Sequence, residues 1–294
     1  MNSIHGTRKE RGFDPRFAPL PLNATATMAQ MNFSTFLIRI ADALENNKGL
    51  ELAYLLSPRE AHSKSVVKEF RNPTKQSLSY YEGSMESPWD EIAIQYVLVV
   101  SHCGKDRAIE AFKEHCSLVK YFANNSGWTL PALFSILRDL RDLACDADLQ
   151  AQQNGQGGTA NMEEAARIIS KGFSNCVTDR QSPYGESRKW GVYYIVGLIL
   201  KCYFRVCGTY IIGKEYTTRH RRKPGYSAAI GVPTISPSED LHFPSAQNNA
   251  DFAKVTYRYY IGMLGFLSED YVKSEQELTL AFYNCHTDAR RNQE

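Results

Sequence analysis

The chain has 294 residues, of which 43% are hydrophobic, 12% aromatic and 22% charged, a composition that excludes wholesale disorder, a collagen-like repeat and a coiled-coil rod. Its 34 Lys and Arg stand against 32 Asp and Glu, a formal net charge of +2. No global field therefore draws it onto a nucleic acid or an acidic membrane, and any basic surface must be local.

Residues 1–27 carry Pro15, Pro19 and Pro21 among Arg8, Lys9, Arg11 and Arg16, which predicts an extended tail, since proline removes backbone donors and fixes φ. Residues 28–148 read as an N-terminal helical region. Phe33, Phe36, Leu37, Ile40 and Leu44 recur at helical steps, and Leu50 to Leu56 predict a shorter helix. Pro73 to Pro88 is a polar break. Trp89, Ile92, Tyr96, Val99 and Val100 form the next stripe, which Gly104 can end with a left-handed cap. Asp106 is placed to cap the helix bearing Ala111, Phe112, Cys116 and Val119. A further helix runs from Trp128 to Asp148, with Pro131 in its first turn.

Residues 149–160 are rich in Gln and Gly and predict a loop. Helical spacing resumes at Met162 and occupies 161–294. Within this half, residues 187–206 predict a strongly apolar helix. Its longest apolar run, Trp190 to Leu200, is 11 residues, well short of the roughly 20 that cross a bilayer. From Gly208 to Asn249 Pro224, Gly225, Gly231, Pro233, Pro237 and Pro244 interrupt the pattern, so 208–249 reads as an irregular insert. Two helices, near 250–267 and 271–284, close the chain. Period-two alternation is scarce. The fold class read from these elements is all-α, built from sequential helix pairs.

The last pair carries the most specific pattern. Gly262, Tyr271, Ser274, Leu278 and Ala281 fall at the small, aromatic, small, large and small offsets of a tetratricopeptide-type hairpin. Gly262 admits the partner helix, Ser274 and Ala281 are small where helices cross, and Leu278 fills the space between. Ser268-Glu269-Asp270 supplies turn and cap chemistry. A single hairpin cannot bury both faces and should stack on neighbours, and a stack of this kind makes a surface rather than a catalytic pocket. An ordinary helical hairpin is the plainer alternative.

Motifs for chemistry are weak. Gly208 to Glu215 nearly matches a phosphate-binding loop, but Glu215 replaces the hydroxyl and no strand precedes it. The seven cysteines form no C-x-x-C pair, and His102-Cys103, His115-Cys116 and Cys285-His286 are adjacent, so each pair diverges by about 100° on a helix and cannot readily share one tetrahedral ion. Buried thiols and capping imidazoles are the expectation. Without an apolar leader after Met1, reduced thiols in an intracellular compartment are expected. Glu163-Glu164 and the series Asp139, Asp142, Asp146 read as solvated helix faces. No catalytic residue, cofactor-binding residue or metal ligand emerges, and no enzyme activity, cofactor, small-molecule substrate or membrane partner is expected. Lys214, Arg219, Arg221, Arg222 and Lys223, offset by Glu215, give a local charge of 5 − 1 = +4 over ten residues, which could contact phosphates or remain a solvated loop.

Two stretches carry a family resemblance: Ser187-Arg-Lys-Trp190-Gly-Val-Tyr-Tyr194 with Lys201-Cys-Tyr-Phe-Arg-Val206, and Val255-Thr-Tyr-Arg-Tyr-Tyr-Ile-Gly262 with Glu269-Asp270-Tyr271 and Ala281-Phe-Tyr-Asn-Cys-His286. With Trp89-Asp-Glu-Ile92 and the helix from Trp128, they resemble the COP-9 signalosome subunit twelve family, a group of PCI-domain proteins related to TREX-2-type mRNA export subunits. The resemblance implies TPR-like hairpins in a right-handed superhelical stack leading to a winged helix. It also implies a non-enzymatic scaffold that pairs with a second PCI subunit and a small acidic protein in transcription-coupled mRNA processing or export, in nucleus and cytoplasm. Trp190, Tyr194, Tyr259, Gly262, Leu264, Phe266, Leu278 and Phe282 are the expected helix-stacking and partner face. RNA or DNA is the alternative ligand, through Lys214 to Lys223. Two departures from the family stand out: the sequence stops where the family runs on into a winged helix, and 208–249 resembles inserted sequence. A retained intron or a faulty gene model is the expectation for both, and the sequence of the spliced transcript tests it.

Overall fold

A computed structural model describes residues 31–122, 126–180, 182–183, 186–215 and 247–285, the side chains of 207–215 and 247–252 excepted. All regular structure among these residues is helical: α1 Phe33–Glu45, α2 Gly49–Leu55, α3 Ser63–Val66, α4 Lys75–Leu78, α5 Trp89–Cys103, α6 Ala108–Tyr121, α7 Leu130–Gln153, α8 Ala160–Val177, α9 Val192–Glu215, α10 Gln247–Leu267 and α11 Tyr271–Tyr283. From α5 onward each helix packs chiefly on its neighbours in sequence, α5 on α6, α6 on α7 and so to α10 on α11, while α2 lies against α7. Sequential pairing of this kind is the architecture of a helical-repeat scaffold.

The core follows from pattern. In α5 the residues from Ile92 to Ser101 are all buried; a helix apolar on every side has no solvent face to offer and belongs at the centre. Around it Phe33 stands edge-on to Tyr81 with ring centroids 4.8 Å apart, and Phe36 stacks on Tyr96 at 4.8 Å. Burying an aromatic ring of this size stabilises the fold by roughly 1.5–3 kcal/mol. The continuous apolar cluster extends from Met31 to Val206. Beyond it, α10 packs on α9 and α11 on α10, with Ala253 and Ala281 buried.

Several expectations are corrected. Gly104 has φ −69°, and the left-handed residue is Asp106, at φ 53°. Asp106 does not cap α6. Gln150, on α7, does: its Oε1 accepts from Ile109 N at 3.0 Å and its Nε2 donates to the Asp106 carbonyl at 2.6 Å. The Gln-rich stretch 149–160 is therefore not all loop, since α7 continues through Gln153. Asp148 on the same helix accepts from Asn161 N at 3.0 Å and Met162 N at 3.1 Å and so caps α8. Two side chains of one helix thus satisfy the orphan donors of both its neighbours. The apolar helix near 187–206 begins with a short 3-10 turn and runs on to Glu215, so Gly208 to Glu215 is helical, in place of a phosphate loop or the start of an insert. The tail 1–27 and most of the proposed insert, 216–246, lie outside the described residues.

Asp139 is a further correction. It lies on the buried side of α7, 1% exposed. Burial pushes its carboxyl above the usual carboxylate range, against the opposing charge of Arg138, whose Nε is 3.6 Å away. Asp146 pairs with Arg59 at 2.8 Å and Asp142 with Arg141. Glu163 accepts from Thr159 Oγ1 at 2.8 Å, and Glu164 pairs with Arg167.

Candidate docking surface at the last helix pair

The α10–α11 hairpin is closed by backbone chemistry first. Glu269 adopts φ 65°, Asp270 N donates to the Gly265 carbonyl at 2.9 Å, and the Asp270 carboxylate accepts from Lys273 N at 3.2 Å. Small residues then bring the helices together. A Cβ at Gly262 would stand 2.6 Å from Leu278 Cγ, and one at Gly265 would stand 3.2 Å from Ser274 N. Ser274 and Ala281 are buried in the seam. An ion pair between Arg258 Nη1 and Glu277 Oε2, at 3.1 Å, ties the two helices. The inner face expected from sequence is the one observed.

The outer face is open, and large apolar side chains share it with exposed Lys273, Glu275, Gln276 and Thr279. Tyr259, Phe266, Leu267, Tyr271, Val272, Leu280, Phe282 and Tyr283 are all exposed, Phe266 by 56%, Phe282 by 55% and Tyr283 by 79%. No other pair of helices among the described residues presents so many large apolar side chains. The rings contact one another: Phe266 with Tyr271 at 5.9 Å, Phe282 with Tyr283 at 5.8 Å, Tyr259 with Tyr260 at 5.2 Å. Exposed aromatics gathered on one helix pair point to an interaction surface.

The expected partner-face residues divide in two. Trp190 and Tyr194 are half-buried and packed on the core, Tyr194 against Phe134 with centroids 4.3 Å apart. Gly262, half-buried Leu278 and half-buried Leu264 belong to the hairpin itself. Tyr259, Phe266 and Phe282 face outward. Sequence reasoning omitted Val272, Leu280 and Tyr283; their spacing of eight and three residues on one helix was the available signal. Lys214 lies within α9, and Arg219, Arg221, Arg222 and Lys223 lie outside the described residues.

The described cysteines are all unpaired. Burial pushes the Cys116 and Cys202 thiols up to about 12, which makes them inert packing groups. His115 Nε2 meets the Ile136 carbonyl at 2.9 Å. His62 Nε2 meets the Leu55 carbonyl, at the end of α2, at the same distance. Burial lowers the pKa of both imidazoles. Among the described residues no group of three or more His, Cys, Asp or Glu could hold a metal ion, and no helix is long and apolar enough to cross a membrane.

PCI domain-containing protein 2 of Xenopus laevis is 25% identical over 272 residues, which cover 90% of this chain and 62% of that protein. A Protein CSN12 homolog of Schizosaccharomyces pombe is 28% identical over 298 residues, covering 94% of this chain and 63% of that protein. One of Neurospora crassa is 32% identical over 185 residues, 57% of this chain and 37% of that protein. Over most of its length the chain is similar to PCI proteins of the CSN12 type. No family model matches it, and no solved structure matches it. This CSN12-like chain spans about three-fifths of the length of the first two relatives. Its helical-repeat fold agrees with membership of a PCI scaffold.

Proposed function

We propose that the chain is a non-enzymatic scaffold subunit whose outer α10–α11 face docks a second PCI-domain protein. One observation carries the reading: the α10–α11 pair turns large apolar and aromatic side chains to solvent. A helix presented by a partner would bury these rings as the described helices bury one another. The resemblance extends the reading to a small acidic partner and to transcription-coupled mRNA processing or export, in nucleus and cytoplasm. Direct binding of RNA or DNA through Lys214, Arg219, Arg221, Arg222 and Lys223 is the alternative, and it rests on sequence alone.

Co-expression of the chain with a PCI-domain subunit from its own organism, followed by size-exclusion chromatography, tests the proposal. A stable complex is expected, and Phe266→Ser with Phe282→Ser should weaken it at least tenfold, since each buried ring contributes roughly 1.5–3 kcal/mol. Binding should change little from low to high salt, whereas phosphate contacts would weaken steeply. A complex indifferent to both substitutions would contradict the assigned face.

A further inference from the structure

The near-neutral balance of the chain means that any basic surface is local, and the segment joining α3 to α5 is such a place. Phe70 and Tyr81 meet edge to face with ring centroids 6.2 Å apart, and each also packs on Phe33, at 5.3 and 4.8 Å. These rings close residues 71–80 into a loop, and buried Leu78 pins it to the core. A second clamp comes from the turn after α5: Lys105 Nζ donates to Asn72 Oδ1 at 2.7 Å and to the Arg71 carbonyl at 3.5 Å. Arg71 and Lys75 lie in the loop, Lys105 is fastened to it, and Lys64 and Lys68 lead into it four residues apart. All five are exposed.

We propose that this loop, with Lys64, Lys68 and Lys105, is a binding surface for single-stranded nucleic acid. Its positive charge is not neutralised from within. None of the five cations forms an ion pair among the described residues, and the acceptors that Lys105 uses carry no formal charge. The one carboxylate between Lys64 and Lys75, Glu69, is turned to α1, where its Oε1 accepts from Phe33 N at 2.8 Å. Glu60 precedes Lys64, Asp106 follows Lys105, and Glu82 and Glu86 follow Tyr81; repulsion from these carboxylates limits how far along the chain a polyanion can track. An exposed ring then selects among anions. Tyr80 is 89% exposed and stands edge-on to the anchored Tyr81, with centroids 5.5 Å apart and planes at 84°. Its neighbour fixes its position while its ring stays open to solvent. A base stacks on such a ring beside a cationic track, and every base has a face to offer. A duplex engages the cations but keeps its bases stacked on one another, and an acidic peptide has no base to lay on Tyr80. A strand with unpaired bases uses both the charge and the ring.

Fluorescence anisotropy of the full chain with a labelled oligouridylate and a labelled oligothymidylate, each of about 12 nucleotides, tests the surface. Saturable binding of at least one strand is expected. Each phosphate neutralised on a single strand contributes about −0.7 to the slope of log affinity against log salt, so Lys68→Gln with Lys75→Gln should flatten that slope by about 1.4. Tyr80→Ala should weaken binding by about fivefold or more. Replacement of Arg219, Arg221, Arg222 and Lys223 by Ser should leave both effects in place. Each variant is checked for an unchanged melting temperature; should the double lysine variant fail to fold, Lys64→Gln and Tyr80→Ala decide the matter. Absence of saturable binding of both strands overturns the proposal. So does a duplex of the same length that binds as tightly as the strands, or an Asp/Glu-rich peptide that displaces a strand at lower concentration than unlabelled strand does. Binding that survives the Lys68, Lys75 and Tyr80 substitutions but is lost with the 219–223 replacement overturns it as well.

Discussion

At position 262 the seam between α10 and α11 has room for a hydrogen atom and little more. A leucine there would press on Leu278 Cγ, 2.6 Å from where its Cβ must stand. Gly262→Leu should lower stability by roughly 1–3 kcal/mol in urea unfolding, even though any residue but Gly or Pro adds up to about 1 kcal/mol of helix propensity. Leu278→Ala in the same chain should recover part of the loss, a coupling that a double-mutant cycle reads directly. Asp139 offers a second test. Its folded-state pKa is raised by burial above the unfolded value, so the folded state holds the proton more tightly. The stability this brings is complete below the ordinary carboxylate range and is lost as pH rises through the folded value. Asp139→Asn should therefore be at least as stable as the parent at neutral pH and should flatten this part of the pH profile; a sharp loss of stability at pH 7 would contradict the assignment. The helical spacing of the seam residues was readable because it is local. The burial of Asp139 was not, because the same spacing serves a polar face as well as a polar residue enclosed by a later helix.

Helix α7 acts as an organiser at the scale of elements. Asp148 and Gln150, near its C-terminal end, supply the caps for α8 and α6 respectively. Asp148→Ala should cost about 1–2 kcal/mol, in the range of a lost helix cap, and should speed amide exchange at Asn161 and Met162 first. An unchanged exchange rate at those two amides would show that water serves as well. These caps also explain where the sequence misled. A run of Gln, Asn and Gly carries the composition of a loop, yet its first residues complete a helix, and the Gln150 side chain is used by a neighbour 41 residues away. The continuation of α9 through Gly208 and Gly213 has a similar cause. Two glycines lower helix propensity by about 1 kcal/mol each, which suggests a break, whereas packing of the preceding turns can carry a helix through them. Local caps such as Asp270 were legible for the opposite reason: donor and acceptor lie within three residues.

At the scale of the whole molecule, the described helices form a stack whose last pair is open to solvent on one side. The last pair is joined to the rest through α9 and leaves eight large apolar side chains facing outward. In isolation the chain should self-associate as concentration rises, and Phe266→Ser with Phe282→Ser should shift it toward monomer in sedimentation velocity. The likeness to CSN12-type PCI proteins was legible in the Trp190 and Tyr257 stretches because they resemble that family in combination. The full extent of the docking face was not, since exposure depends on which helices follow in space. Hydrogen–deuterium exchange of the chain with and without a PCI-domain partner tests the account most directly. Strong new protection across 259–283, with little change in α5 to α7, is the predicted result; an unaltered α10–α11 hairpin in a complex that forms elsewhere would contradict it.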